Sequence, residues 1–225
     1  MLQTLMGYTA ELAGLVLSGG AAVLLVILPL VGKLTNKYPA KYLVAVGWLG
    51  ISMAMFVSTR ATDLQMSFSA CAILRIYQNL PIAFVFIPIT LAAYVGLPAE
   101  KSNSAAGLVN FMRNMGGSVG TSIVATVVAR RSQFHQSILA QHTRSPRFMG
   151  AANGMALHLN HAGIGYHDAH KSAIAGLTRM IQAQAAVLSY IDLYWILAVA
   201  TAVMFVLSFW LKKNKPGEGG RVPVH

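Results

Sequence analysis

Residues 12–31 read LAGLVLSGGAAVLLVILPLV, an apolar run that holds no charged side chain. A helix of about 20 residues is long enough to cross the roughly 30 Å hydrocarbon core of a bilayer. Backbone polar groups in lipid must be hydrogen-bonded within the protein, which a helix achieves within its own segment. The run therefore predicts a membrane-spanning α-helix.

The composition of the whole chain agrees with this segment. Of its 225 residues 56% are hydrophobic and only 10% are charged, against about 25% charged in typical soluble domains. This excludes a soluble domain and a disordered chain. The net charge of +11 is better explained by contact with anionic lipid than by nucleic acid, because so few charges cannot form a soluble basic face.

Four further runs are long and apolar enough to cross a bilayer, namely residues 42–59, 68–97, 105–129 and 187–211. The third span of the five, 68–97, is overlong and carries Pro81 and Pro88, so we expect it to be kinked and tilted. The runs are continuous, whereas membrane β-strands are shorter and alternate. The fold class is therefore an all-α integral membrane protein with five transmembrane helices.

The connections between the spans are unequal in length. Residues 130–186 are predicted to form a loop, and residues 212–225 a disordered basic tail. Five spans place the two termini on opposite sides of the membrane. Lys and Arg residues divide eight to seven between the two sides, which leaves both orientations open.

Six of the seven histidines fall within residues 130–186. Two pairs have i, i+3 spacing, which would place imidazoles side by side on a helix. Cys71, which lies outside this segment, is the single cysteine of the chain. One cysteine can form neither an intrachain disulfide nor a multi-cysteine metal cluster. A solvated, mildly pH-sensitive loop is favoured over a metal site.

Three charged residues lie inside predicted spans, where they are costly. Arg75 and Arg113 each cost about 2.5–3.5 kcal/mol at a helix centre, so each requires polar surroundings or a water-filled cavity. Gln78 lies three residues after Arg75, on the same helical face. Asp192 either pairs with a cation or titrates during proton coupling, and the alternative is an interfacial acid beside the long loop.

Polar and small residues recur along one face of the fourth span at steps of three and four residues. This face consists of Asn103, Gly107, Asn110, Asn114, Gly117 and Thr121, with Arg113 at its border and the pair Gly116 and Gly120 in GxxxG spacing. Small residues allow helices to approach closely in lipid, and amides hydrogen-bond across the contact. For Asn110 and Asn114 both a packed helix interface and a face toward substrate or ions stay open.

Signatures of catalysis are missing from the sequence. The run GGSVG at residues 116–120 lacks the Lys-Ser/Thr of a phosphate-binding loop. The sequence holds no HExxH motif, and no Ser-His-Asp or paired-carboxylate arrangement is recognisable in it. We therefore expect a protein that is not an enzyme.

Several stretches resemble members of one transporter family. Residues 32–41, GKLTNKYPAK, are similar to the loop motif G-x-x-x-D-R/K-x-G-R-R/K of the major facilitator superfamily. Gly32, Lys37 and Lys41 match, whereas Asn36 stands where Asp is common and Ala40 departs from the motif. Residues 7–15 (GYTAELAGL), 74–78 (LRIYQ), 84–88 (FVFIP) and above all 104–120 (SAAGLVNFMRNMGGSVG) resemble drug:proton antiporters of the EmrB/QacA type. The resemblance covers nearly all of residues 2–211.

This resemblance implies a topology and a set of roles. Antiporters of this type have fourteen spans, and the chain looks like the last five, with the 32–41 loop and the tail in the cytoplasm and residues 130–186 in the periplasm. The third span would line the central cavity, with Arg75 and Gln78 facing it. The first and fourth spans would pack against the N-terminal half of the transporter. Gly32, Asn36, Lys37 and Lys41 would form a gating loop that pairs with a neighbouring bundle, and simple anchoring of the topology is the alternative.

The implied activity is multidrug efflux across the bacterial inner membrane, with antibiotic resistance as its consequence. Amphiphilic small molecules would be exported by proton antiport, driven by the proton gradient without a cofactor. EmrB-like members work with a periplasmic adaptor and an outer-membrane channel. Alternating access needs two bundles, so we expect a C-terminal fragment that is not competent alone. A stand-alone membrane scaffold or interaction subunit is the alternative, and an integral membrane enzyme is a weaker third.

Overall fold

The computed structural model of the protein describes residue 3 and residues 6–94, 98–141 and 145–211. Over this part of the chain it contains seven α-helices, one short 3-10 helix and no strand. The helices are α1 (Ala10–Thr35), α2 (Ala40–Ala61), α3 (Phe68–Asn79), α4 (Ile82–Ala92), α5 (Ser102–Gln141), α6 (Pro146–His161) and α7 (Tyr166–Ser208), with the 3-10 helix at Ala99–Lys101. The predicted all-α architecture is confirmed.

Four segments of the described chain are long and apolar enough to cross a membrane: α1, α2, Phe68–Ala92, which comprises α3 and α4, and α7. The fourth predicted span lies within α5, which is helical but falls short of the same hydropathy. Its polar stripe is the cause, because Asn110, Arg113, Asn114 and several glycines interrupt the apolar residues. Four segments rather than five therefore qualify on composition alone.

The third predicted span is interrupted where proline predicted a kink. The Ser67 hydroxyl caps α3 by accepting the backbone N–H of Ala70 (3.3 Å). α3 ends at Asn79, and α4 begins immediately after Pro81, which lacks the N–H that a continuous helix requires. Pro88 is accommodated inside α4. Residues 95–97, the predicted end of this span, lie outside the described residues.

Residues 130–186 are largely helical, so the prediction of a loop there is wrong in secondary structure. α5 continues to Gln141, α6 occupies Pro146–His161 and α7 already begins at Tyr166. The hydroxyl of Ser145 caps α6 by accepting the backbone N–H of Phe148 (3.3 Å), and Pro146 stands at the first helical position. Hydropathy identifies apolar runs, whereas these segments are alanine-rich helices of mixed polarity. Residues 142–144 and the predicted disordered tail, 212–225, lie outside the described residues.

The chain divides into two compact units. The first unit consists of the described residues before Val124 and after Leu193. The second unit is Val124–Leu193. Within the first unit α1 packs on α3 and α4, and α2 packs on the same two helices.

Glycines permit the close approach of helices in this bundle. A Cβ atom on Gly47 of α2 would lie 3.0 Å from the backbone carbonyl carbon of Phe84 and 3.0 Å from the backbone nitrogen of Val85. A Cβ on Gly50 would lie 2.7 Å from Cβ of Pro81. Side chains at these positions would push α2 away from α4, so the glycines set the distance between the two helices.

Candidate functional site

A chain of hydrogen bonds links the intramembrane arginine of α3 to α2. Arg75 Nη1 donates to Oε1 of Gln78 (3.0 Å), and Nε2 of Gln78 donates to Oγ of Ser58 (2.9 Å). The Ser58 hydroxyl in turn donates to the backbone carbonyl of Ala54 (2.7 Å). Gln78 is only 6% exposed and Ser58 is fully buried. The buried amide is therefore satisfied on both of its ends, as burial of a polar group requires.

Within the described residues Arg75 makes one side-chain hydrogen bond, to Gln78. Gly20 of α1 faces it closely, since a Cβ there would lie 3.1 Å from Cγ of Arg75 and would also collide with the amide of Asn79. Within the described part of the chain Arg75 forms no ion pair. A guanidinium has five N–H donors. With one of them oriented by a buried glutamine, the group is held in place and can still bind an anionic or polar ligand.

Asp192 belongs to a different network, inside the second unit. Its Oδ2 lies 2.8 Å from Nε2 of His135 and 3.7 Å from Nε of Arg131, so one carboxylate oxygen of α7 meets two basic side chains of α5. The side chains are 30% exposed for Asp192 and 18% for His135. The sequence left three possibilities for this acid: pairing with a cation, titration during proton coupling, and an interfacial position beside the long loop. The contacts place two basic side chains beside it. A role in the proton pathway stays a prediction.

Arg113 has a third environment, on the surface of the first unit. Its guanidinium carbon lies 4.5 Å from the centre of the Phe86 ring, and Nη2 makes a long hydrogen bond to Oγ1 of Thr90 (3.4 Å). The neighbouring Asn110 and Asn114 are exposed. The three predicted pathway clusters, around Arg75, Arg113 and Asp192, thus have separate sets of described partners.

The glycines of α5 lie on an open face. A Cβ atom built at any of these four residues would meet no other group within 4 Å: Gly107, Gly116, Gly117 and Gly120. None of the residues of α5 is buried. Their predicted role in helix packing stays a prediction, because no described element of the first unit lies against them.

The predicted gating loop is a tight connection between α1 and α2. Asn36 caps the end of α1, and the N–H groups of Lys37 and Tyr38 donate to the carbonyl of Leu34 (3.0 and 2.9 Å). Asn36 and Lys37 are exposed, Gly32 is half-buried, and Nζ of Lys41 lies 5.0 Å from the centre of the Tyr42 ring. Among the described residues no acid pairs with these lysines. The predicted role of the loop in gating stays a prediction.

Sequence reasoning missed the partners of two predicted residues. The Ser58 hydroxyl accepts a hydrogen bond from Gln78. A lone serine in an apolar helix does not indicate such a role in the sequence. Nε2 of His135 lies 2.8 Å from Oδ2 of Asp192, a residue 57 positions away in sequence. Its membership of a histidine-rich segment pointed to solvent rather than to a carboxylate. Among the described residues no group of three metal-binding side chains occurs.

The chain is similar to multidrug transporters. It is 28% identical to the multidrug export protein EmrB of Escherichia coli K12, over 98% of this chain and 42% of the relative. EmrB of Haemophilus influenzae is 26% identical over 94% of this chain and 40% of the relative. The uncharacterized MFS-type transporter YhcA of Bacillus subtilis is 29% identical over 67% and 28%. The chain thus spans about two fifths of the length of the first of these relatives. No family model and no solved structure matches.

Proposed function

We propose that the chain is the C-terminal region of an EmrB-like exporter of the major facilitator superfamily, a multi-pass protein of the bacterial inner membrane that exports amphiphilic compounds. The export is driven by proton antiport and requires no cofactor. Its relatives are transporters rather than enzymes, and two of them carry multidrug export in their names.

The observation that carries the proposal is the anchored guanidinium of Arg75. A charged side chain inside a span is costly unless it faces protein or water. The hydrogen bond from Arg75 to Gln78 and the onward bond to Ser58 fix this charge toward the interior of the α1–α4 bundle. In the proposal Arg75 and Gln78 contact substrate or a group that exchanges protons.

In the proposal a second bundle of the transporter completes the central site. Alternating access requires two bundles that rock about a central site. In the proposal the open face of α5, with Gly107, Gly116, Gly117 and Gly120, packs against the N-terminal bundle, and Asn110, Arg113 and Asn114 line the same boundary. Lys37 and Lys41 close the cytoplasmic side against that bundle. A periplasmic adaptor and an outer-membrane channel complete the export route.

A scaffold or interaction subunit is the second candidate function. The uncovered face of α5 supports it as well, because small residues and amides in lipid favour helix contacts whatever the partner does. The two functions differ in their need for Arg75. An exporter requires the guanidinium for transport, whereas a scaffold requires only the α5 face.

The experiment is a chimera in which this chain replaces the matched 42% of Escherichia coli EmrB. We expect the chimera to export an amphiphilic cationic dye from proteoliposomes when a proton gradient is applied. Arg75→Ala should slow export by roughly tenfold without lowering the amount of protein in the membrane. Arg179→Ala, which removes an exposed arginine of α7, is the matched control and should leave export unchanged.

Three results would contradict the proposal or a part of it. A chimera that inserts into the membrane but exports no dye would show that this chain is not an export bundle. Full export by the Arg75→Ala chimera would remove Arg75 from the site. Proton-coupled efflux from proteoliposomes that hold this chain alone would refute the need for a second bundle.

A further inference from the structure

An apolar cleft runs between α2 and the C-terminal part of α7, both within the first unit. Its volume is about 300 Å³. The lining includes Met53, Phe56, Val57, Trp195, Val199 and Ala202. The Ser52 hydroxyl donates to the backbone carbonyl of Ala198 (2.9 Å), which ties the two helices together and uses the hydroxyl in doing so. The remaining lining suits a hydrocarbon chain and offers little to a polar ligand.

A cation stands at one end of this cleft. The guanidinium carbon of Arg60 lies 5.1 Å from the centre of the Phe56 ring, and Phe56 meets Trp195 edge to face with the centroids 5.3 Å apart. Arg60 belongs to the last turn of α2, about one helical turn beyond Phe56. The cleft therefore combines an apolar trough with two aromatic rings, Phe56 of α2 and Trp195 of α7. The guanidinium of Arg60 stands one turn beyond Phe56 on α2.

The guanidinium has no described anionic partner. Asp63 is the nearest acid in sequence, but its Oδ1 accepts the backbone N–H of Leu64 (2.6 Å), and no ion pair with Arg60 occurs within the described residues. An arginine fork binds phosphate bidentately. Arg60 directly follows the predicted span 42–59, at the level where a bilayer has its headgroups.

We propose that this cleft binds an anionic phospholipid, with an acyl chain in the trough and the phosphate headgroup at Arg60. The net charge of +11 draws anionic lipid to the protein as a whole, and Arg60 selects the lipid at this position. The site is distinct from the Arg75 network, because none of the residues of that hydrogen-bond chain lines the cleft. It adds a lipid-binding function to the proposed export function and is tested without transport.

The test uses Trp195 as a reporter inside the site. The chain contains three tryptophans, so replacing Trp48 and Trp210 by Phe leaves Trp195 as the only one. The protein is reconstituted into mixed vesicles in which either phosphatidylglycerol or phosphatidylcholine carries brominated acyl chains, at the same mole fraction and the same total composition. Bromine quenches a tryptophan that it touches.

We expect brominated phosphatidylglycerol to occupy the site about fivefold more than brominated phosphatidylcholine, the enrichment given by one basic residue near an anionic headgroup. Arg60→Gln should abolish this preference. Lys33→Gln, which removes an exposed cation from the last turn of α1, is the matched control and should retain it. Ala202→Phe should reduce the quenching by both lipids, because the added ring fills the trough.

Equal quenching by the two lipids in the parent protein would overturn the proposal, and so would a preference that survives Arg60→Gln. Loss of the preference in Lys33→Gln as well would assign it to the general charge of the protein, which also contradicts a site at Arg60. Circular dichroism of each variant establishes that the helices are intact, so that a change in quenching reports the site.

Discussion

The α1–α4 bundle and helix α5 both carry small residues at intervals suited to helix contacts, but they differ in what lies against them. In the bundle Gly20, Gly47 and Gly50 each face atoms of another helix at contact distance. In α5 the glycines of the polar stripe face nothing within 4 Å, and no residue of the helix is buried. The first pattern contacts another segment of the described chain, whereas the described residues show no such contact for the second.

A stripe of small residues therefore marks a helix surface that can be packed, but it does not identify the packing partner. Small residues lower the steric cost of contact, yet they do not say which helix makes the contact. The α1–α4 bundle can therefore be tested as a folded object, whereas the stripe of α5 becomes testable only with a partner. The proposed exporter supplies one, because its N-terminal bundle would cover α5.

The largest effect is expected from leucine substitutions at the two kinds of glycine. Gly47→Leu drives a side chain into the backbone of α4 at Phe84 and Val85, so it should destabilise the chain by about 3 kcal/mol. Gly117→Leu meets open space and should change the stability by less than about 0.5 kcal/mol. Unfolding in a detergent–dodecyl sulfate titration, followed by circular dichroism, measures both.

The two glycine substitutions should also differ in their effect on export. Gly117→Leu should block dye export by the chimera while leaving the fold of the chain intact, because the added side chain would separate α5 from its partner. Equal destabilisation by the two substitutions would mean that α5 is packed within this chain after all.

A smaller effect is expected from the buried amide. Gln78→Leu removes the group that joins Arg75 to Ser58, and it should cost about 2 kcal/mol, because a buried hydroxyl and a half-buried guanidinium lose their partner. Asn110→Leu on the exposed face of α5 is the control and should change the stability by less than about 0.5 kcal/mol. A Gln78→Leu variant as stable as the parent protein would mean that the chain of hydrogen bonds is dispensable.

The C-terminal part of α5 provides a third comparison, since its His135 and Arg131 do meet a partner. Asp192→Asn removes the charge that both basic groups approach. The cost should be about 1 kcal/mol, because the pair is partly exposed and solvent screens it. A double-mutant cycle with His135→Ala isolates the coupling between the two residues, and a coupling of zero would contradict the geometry.

The smallest effect is expected at Arg113. Its guanidinium stacks on Phe86 at the surface, an interaction worth about 0.5–1 kcal/mol when exposed. Arg113→Gln should therefore lower the stability by no more than this amount in the same titration. A loss of several kcal/mol would place Arg113 in a buried environment and would erase its contrast with Arg75.

The sequence predicts much of the fold because the free energy of membrane insertion depends mainly on local composition. The apolar runs of α1, α2 and α7 and the interruption at Pro81 are all local signals. The helices within residues 130–186 escaped prediction because an alanine-rich segment of mixed polarity has no hydropathy peak. Their caps, such as Ser145 followed by Pro146, were nevertheless present in the sequence.

In the candidate site, too, local contacts could be predicted from the sequence and long-range contacts could not. The contact between Arg75 and Gln78 follows from a spacing of three residues on one helix. The contacts of Gln78 with Ser58 and of His135 with Asp192 join residues 20 and 57 positions apart. Such contacts depend on how the helices pack, and no local pattern in a single sequence reveals this packing.

The proposed exporter has one structural requirement, that the Arg75 side chain faces a polar, water-accessible interior rather than lipid. Its most direct test is thiol labelling in native membranes, with Cys71, the only cysteine, first replaced by serine. Arg75→Cys should react with a membrane-impermeant maleimide, whereas Val26→Cys, on the face of α1 that is 76% exposed at this residue, should not. Should Arg75→Cys prove as unreactive as Val26→Cys, the guanidinium has no aqueous path and the account is contradicted.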